Sequence, residues 1–380
     1  MTHLELYKNL IDGIFGSGTA TFNPSPNTTN KVIGALASNT DFVDFQCNFA
    51  ARLKRLQTAY TGHPSLTALI IQVNLVADNK NWQGAVAELA AYDYFISKRD
   101  FLSRLPILDV NINPSESLAS LFSVQQANVD VYFDTLGVYS DIKVLKDNVS
   151  EILDGIYRKI WPNNKPLIRA EFPRDATFEL LQNNLDSVFR LLNAAVSGVK
   201  KPRLVDASSV VADLFFRLDW TRGMLITSTS YSPYSHAENT CGLPLIHAKK
   251  FLTKHPFFLT FVLFPWFNNV VNSFNGLNKI YYRSLSRRVF CQYRNDPSLF
   301  SVRSSRFTGV HTIFEVTRNL GAMLFLEDNS ILSTSPEKTN VVGHYFENLN
   351  AYHPPSCGPM ESYLRDLIDG SFDDFTHDNY

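Results

Sequence analysis

The sequence has little of three things that would narrow its function: cysteine, net charge and long apolar runs. Its 380 residues include four cysteines, at widely scattered positions without a Cys-x-x-Cys pair. That pattern argues against a structural zinc site and suits reduced thiols. The formal net charge is −1, so any surface for a polyanion must be a local patch. The very apolar stretch 259–267 is too short to span a bilayer, so we expect no membrane partner.

The N-terminal segment also lacks the features of a secretion signal. It carries Glu5 and Asp12 and has no long apolar run, so we expect no signal peptide and a cytoplasmic location. Hydrophobic residues make up 45% of the chain and charged residues 19%, which is typical of a globular protein with ample core. The length suits two domains of ordinary size or one elaborated α/β domain.

A β-hairpin is predicted for residues 128–146, which are rich in β-branched and aromatic side chains. If Thr135 and Leu136 form the loop, Asp130 lies opposite Asp141. Directly opposed side chains have Cβ atoms roughly 5 Å apart, and like charges at that distance are destabilising. A divalent cation held by both carboxylates would offset the repulsion. Lys143 lies two residues after Asp141 and therefore on the same face of the strand.

At these residues the chain resembles the PD-(D/E)XK, or restriction-endonuclease-like, nuclease superfamily. The signature of that superfamily is an acid on one core strand, an acid-x-Lys element on the next, and often a glutamate from a preceding helix. Asp130 matches the first acid, the segment 141–143 matches the second element, and Glu88 matches the helical glutamate. Val129 stands where the nominal proline would be, and the second acid is Asp rather than Glu. The resemblance covers residues 82–170.

The resemblance implies an α/β fold: a restriction-endonuclease-like core, that is, a mixed central sheet flanked by helices. It would be preceded by a helical N-terminal region and followed by an α/β C-terminal elaboration. The order of predicted elements agrees, because a helix with Glu88, a strand at 105–112, the hairpin and a further helix follow one another. The predicted ranges are a helical region at 1–80, the nuclease core at 81–175, an α/β extension at 176–360 and an acidic tail at 361–380.

The function implied by the resemblance is metal-dependent phosphodiester hydrolysis by a DNA endonuclease of restriction, repair or antiviral-defence type. Asp130, Asp141, the Ile142 carbonyl and Glu88 would bind Mg²⁺ or Mn²⁺, with no other cofactor. Lys143 would orient or deprotonate the attacking water. Two alternatives stay open: a catalytically silent module that binds nucleic acid or a protein partner, and a nuclease that acts on RNA. Many members of the superfamily act as dimers or need a partner subunit.

A basic and aromatic cluster at 279–294 is the candidate nucleic-acid surface. Arg283 and Arg287 are four residues apart and so share one face of a helix, and Arg288 follows them. Arginine forks suit phosphate oxygens, and aromatic faces can stack on bases. The alternative is an amphipathic helix with solvated arginines. Lys146, just past the hairpin, is a further candidate for a phosphate contact or else a solvated strand end.

Three other charged segments have open interpretations. Arg52, Lys54 and Arg55 lie on one predicted helix and would either meet phosphate or form a solvated face. His247 and His255 bracket a predicted helix rich in lysine, and we interpret both histidines as structural. The acidic, aromatic tail at 361–380 could dock into the basic cluster, bind a partner or simply keep the end of the chain in solution.

Overall fold

A computed structural model of the chain contains both helices and strands. The described residues are 2–22, 30–38, 42–98, 104–112, 127–145, 148–160, 166–171, 181, 183–196, 203–211, 214–220, 227–230, 233–251, 255–264, 277–295, 297, 312–330, 335–354 and 372–373. Contacts between residues divide the chain into two compact units. The first comprises 1–144, 243–264 and 286–380, and the second comprises 145–242 and 265–285. Both units are discontinuous in sequence, whereas the predicted ranges are continuous.

The first helix begins and ends where its local sequence signals place it. Thr2 caps the first helix, because its side chain accepts from the Glu5 backbone N–H and the Glu5 side chain accepts in return. That helix ends at Gly16, whose φ of 110° suits glycine. The helices are α1 (His3–Phe15), α2 (Lys31–Leu36), α3 (Val43–Tyr60), α4 (Leu66–Leu75), α5 (Trp82–Ser97), α6 (Asn148–Ile160), α7 (Leu185–Val196), α8 (Pro233–Thr240), α9 (Leu243–Ile246), α10 (Asn278–Cys291) and α11 (Ile313–Thr317).

A mixed sheet forms the centre of the first unit. Its described strands are β1 (Ile107–Ile112), β2 (Ala127–Phe133), β3 (Val138–Val144), β8 (Phe257–Leu263), β9 (Ala322–Asp328), β10 (Val341–Glu347) and the two-residue β11 (Phe372–Asp373). They stand in the order β1-β2-β3-β8-β9-β10-β11. β1, β2 and β3 form an antiparallel meander, and β8 is parallel to both of its neighbours. All seven residues of β8 are buried, as expected for a parallel strand covered on both faces.

The predicted hairpin is confirmed, including its register. Val131 pairs with Ser140, Tyr132 with Tyr139 and Phe133 with Val138. The turn is closed by N–H groups of Leu136 and Gly137, which donate to the Phe133 carbonyl at 3.0 and 2.8 Å. Gly137 has a φ of 65°, a conformation that favours glycine.

Helix α5 packs against the sheet, over β3, β8 and β10. Its alanines at 85, 87, 90 and 91 are buried, which allows close approach. At β10 a Cβ on Gly343 would lie 2.2 Å from the Tyr94 hydroxyl, so the side chain of Tyr94 occupies the space that glycine leaves. Helix α5 therefore lies close against the sheet.

A buried ion-pair network joins helix α3 to helix α5 and to the sheet. Arg52 on α3 is 1% exposed. Its guanidinium lies 2.9 Å from Asp328 Oδ2 at the end of β9 and 3.5 Å from Asp93 Oδ2 on α5. Arg55 donates to both oxygens of Asp93, each at 2.8 Å. Neither interpretation of Arg52 and Arg55 from the sequence is right, because both side chains bind buried carboxylates, whereas Lys54 is exposed.

The second unit has a separate sheet of four strands. These are β4 (Pro166–Glu171), β5 (Arg203–Asp206), β6 (Phe215–Trp220) and β7 (Thr227–Ser230), in the order β5-β6-β4-β7. Its core is formed by apolar side chains of α6, α7 and β6, among them Leu153, Tyr157, Leu192, Phe216 and Leu218. In this sheet β4 lies between β6 and β7.

The fold class predicted from the sequence is right at its coarse level, since the chain is mixed α/β with a mixed central sheet flanked by helices. No described helix combines the length and the apolar character needed to cross a bilayer.

We expect Arg52→Met to lower the free energy of unfolding by about 3–5 kcal/mol, because it leaves Asp328 buried without its cation, whereas Asp93 keeps Arg55. Urea denaturation of the purified protein measures the change. Lys54→Met on the exposed face of the same helix is the matched control and should change stability by no more than about 0.5 kcal/mol. Equal small effects of both substitutions would contradict a structural role for the buried network.

Candidate active site

The candidate site lies where the pairing of β2 is interrupted. Along β1, Leu108 pairs with Val131 and Val110 with Val129, and the register skips the residues between them. There Asp109 has a φ of 56°, which is unusual for a residue other than glycine. On the other side, the pairing with β3 stops at Val131. Asp130 stands at this gap, and its carboxylate Oδ2 accepts the Ile142 backbone N–H at 2.5 Å.

Asp141 is the most deeply buried acid of the site, with no exposed surface. The hairpin register continues to place it beside Asp130. Lys143 Nζ lies 2.7 Å from Asp141 Oδ2. Even so, among the described residues neither oxygen of Asp141 accepts a hydrogen bond of regular geometry. A buried carboxylate in this situation retains its attraction for a cation.

Lys143 connects the components of the hairpin site. Besides its ion pair with Asp141, its ammonium donates to the Ile142 carbonyl at 2.7 Å and lies 3.4 Å from Asp130 Oδ2. Burial lowers the pKa of Lys143, but the two aspartates outweigh burial and raise the pKa overall. Lys143 is therefore a charged ammonium among oxygens that the sequence resemblance assigns to a metal.

Glu88 reaches the same place from helix α5. Its carboxylate Oε2 accepts a hydrogen bond of 2.9 Å from the hydroxyl of Tyr92, one helical turn further on. Burial, and then the neighbouring charge of Asp130, raise the pKa of Glu88 to about 8. The glutamate that the resemblance selected thus lies next to the hairpin acids in the structure.

The pKa of Asp130 is also raised, to about 7, by burial and then by the charge of Asp141. Lys143 and the Ile142 N–H act in the opposite direction. Acids with raised pKa values beside a buried lysine can exchange protons near neutral pH. Such groups are candidates for catalysis as well as for ligand binding.

Two further residues belong to this site and were missed from the sequence. Lys250 lies in the 3₁₀ turn Ala248–Lys250, and its Nζ is 3.5 Å from Asp141 Oδ1. His247, just before that turn, has its pKa lowered to about 4 by burial and then by Lys143. The predicted lysine-rich helix between His247 and His255 is wrong, because the described part is a single 3₁₀ turn. Tyr92 is a third residue of the site that the sequence analysis missed. It lies four residues after Glu88, so helical spacing could have indicated that the two side chains meet.

The predicted basic cluster is helical as expected, since α10 spans it. Arg283, Arg287 and Arg288 are all partly buried, and Arg288 Nη1 lies 3.5 Å from Gln292 Oε1. Arg283 falls in the second unit and the other two in the first. Lys146 lies outside the described residues, as does the acidic tail apart from β11.

The donors of the site fit a hard divalent cation in their chemistry. Asp130, Asp141 and the Ile142 carbonyl are oxygen ligands of the kind that Mg²⁺ prefers, and the buried carboxylate of Asp141 lacks a regular hydrogen bond. Within the described residues, no three His, Cys, Asp or Glu side chains already stand at the spacing of a metal-ligand set. The Lys143 ammonium contacts three of these oxygen groups instead.

Comparisons with protein-family models, with curated proteins and with solved structures give no match for this chain.

We expect the stability of the metal-free protein to fall between about pH 4.5 and 8 because of Glu88. Its pKa is higher in the folded than in the unfolded chain, so the unfolded chain binds fewer protons in that range and stability declines as pH rises. Thermal denaturation in EDTA measures the effect, and Glu88→Gln should flatten the decline. Glu337→Gln, at an exposed position, is the control; an identical pH profile for wild type and Glu88→Gln would contradict the raised pKa.

Proposed function

We propose that the first unit is a metal-dependent phosphodiesterase that cleaves nucleic acid, with DNA as the preferred substrate. The observation that carries the proposal is the convergence of three acids and a lysine from α5, β2 and β3 at a gap in strand pairing. Paired carboxylates with a lysine are the groups that metal-assisted phosphodiester hydrolysis needs. The order of elements in the chain supports the restriction-endonuclease-like fold that the sequence resemblance suggests.

In this mechanism Asp130, Asp141 and the Ile142 carbonyl would hold Mg²⁺ or Mn²⁺, with Glu88 as a further ligand. The cation, when bound, polarises the phosphate and makes hydroxide available near neutral pH. Binding would require Glu88 and Asp130 to lose protons that their raised pKa values retain near neutrality. We therefore expect metal affinity to increase with pH.

The role of Lys143 follows from its charge and burial. Its ammonium is held at the acids by the Ile142 carbonyl, and its raised pKa keeps it protonated. It is suited to orient a water molecule and to stabilise the negative charge that develops on the phosphate. Tyr92 positions Glu88 through its hydroxyl.

The substrate of the proposed reaction carries phosphates that basic side chains would contact. The partly buried arginines of α10 are candidates for phosphate contacts, together with Lys146. A second subunit or a partner protein, and a role in restriction, repair or defence, belong to the same proposal.

We expect Lys143→Ala to reduce cleavage of plasmid DNA by about 10²–10⁴-fold, because it removes the charge beside the reacting phosphate. The assay compares plasmid, single-stranded DNA and RNA in Mg²⁺, Mn²⁺ or EDTA. Lys249→Ala, at an exposed lysine, should retain wild-type activity.

Equal residual activity of wild type and Lys143→Ala would identify a contaminant and reject the catalytic role. If no variant cleaves, but Mn²⁺ raises the melting temperature of wild type and not of Asp130→Ala, the site binds metal without cleaving these substrates. That outcome favours the silent binding module or an absent partner subunit.

A further inference from the structure

Asp141 is contacted by two lysines, and the hairpin motif accounts for only one of them. Lys143 Nζ lies 2.7 Å from Oδ2, and Lys250 Nζ lies 3.5 Å from Oδ1. Each carboxylate oxygen thus faces its own ammonium. The Asp141 side chain is fully buried, while the side chains of Lys143 and Lys250 are 26% and 16% exposed. Lys250 is therefore more enclosed than the lysine that the motif identifies.

The backbone around Lys250 holds its side chain in this position. Its N–H donates to the His247 carbonyl at 2.8 Å, which closes the 3₁₀ turn. Ala248 of that turn is fully buried, and the turn packs against β2. At its other end, the ammonium also donates to the carbonyl of Asn128, two residues before Asp130. Lys250 thus spans from a separate chain segment to the strand that carries the first acid.

Asp141 has two ammonium groups beside it before any metal binds. A buried carboxylate needs a cation, because removing it from water without one is costly. Lys143 and Lys250 already place two positive charges beside the single carboxylate of Asp141. A divalent cation added to this set would leave surplus positive charge, so it competes with an ammonium for Asp141.

We propose that Lys250 is the counter-cation of Asp141 in the metal-free protein and that it weakens the binding of divalent cations at this site. The inference rests on the proposed function, because it requires Asp141 to be a metal ligand. Lys250 acts as a positioning residue: it holds the carboxylate in place and limits metal loading. A lysine that only supported the fold would have the opposite effect on metal affinity, since losing it would loosen the ligand set.

The first test is the affinity for Mn²⁺, measured by titration of the full-length protein without substrate. Lys250→Met keeps an unbranched apolar side chain one atom shorter and removes the charge, so we expect Mn²⁺ to bind about tenfold more tightly. Lys250→Arg keeps the charge and should bind Mn²⁺ like wild type. Lys249→Met, on the exposed side of the same turn, is the control for a general charge effect.

The second test needs no metal and uses thermal stability in EDTA. Lys250→Met should lower the melting temperature of wild type, because Asp141 loses one of its two cations. In an Asp141→Asn background the same substitution should have a smaller effect, since the carboxylate is gone. If Lys250→Met does not fold, Lys250→Gln is used in both tests.

The outcomes separate this inference from the proposed function. If wild type binds Mn²⁺ and Lys250→Met binds it equally tightly or more weakly, the counter-cation role is overturned. The metal site itself would then stand. Additive stability effects of Lys250→Met and Asp141→Asn overturn it as well. If no variant binds Mn²⁺, the metal site itself is rejected. The proposed competition between Lys250 and a metal for Asp141 is then rejected as well.

Discussion

One buried guanidinium connects the layers of the first unit. Arg52 on α3 lies between Asp93 on α5 and Asp328 at the end of β9, and all three residues are almost fully buried. Because an unpaired charge in this place would be very unfavourable, few placements of α5 on the sheet are allowed. Glu88 lies on the same helix, five residues before Asp93. The network therefore sets the position of the helical acid Glu88 at the site.

Each acid of the site is stabilised in a different way. Asp141 is neutralised by ammonium groups, Asp130 accepts a backbone N–H from the neighbouring strand, and Glu88 accepts a tyrosine hydroxyl. Burial raises the pKa values of both Asp130 and Glu88. The gap in pairing at Asp130 is what makes room for this arrangement, since a regular ladder would use the same Ile142 N–H.

The sequence was most informative where interactions are local. Strand alternation and turn chemistry placed Asp130, Asp141 and Lys143 on one face of a hairpin, and its register is confirmed. Long-range pairing was not accessible in this way. Arg52 meets partners 41 and 276 residues away, so the sequence alone left a phosphate contact or a solvated face as the interpretations of this charged helix. No spacing rule links Lys250 to Asp141 either, because the second unit intervenes in the chain.

The order in which the chain is synthesised separates the parts of the site. The first unit is interrupted after residue 144 and resumes at residue 243. Its central strand β8, which pairs with β3 on one side and β9 on the other, follows that resumption. Ribosomes add about 5–20 residues per second, so Lys250 and β8 are synthesised several seconds after the hairpin. During that time the edge of β3 has no β8 to pair with. A nascent or truncated chain that ends within the second unit therefore contains the acids without their complete surroundings.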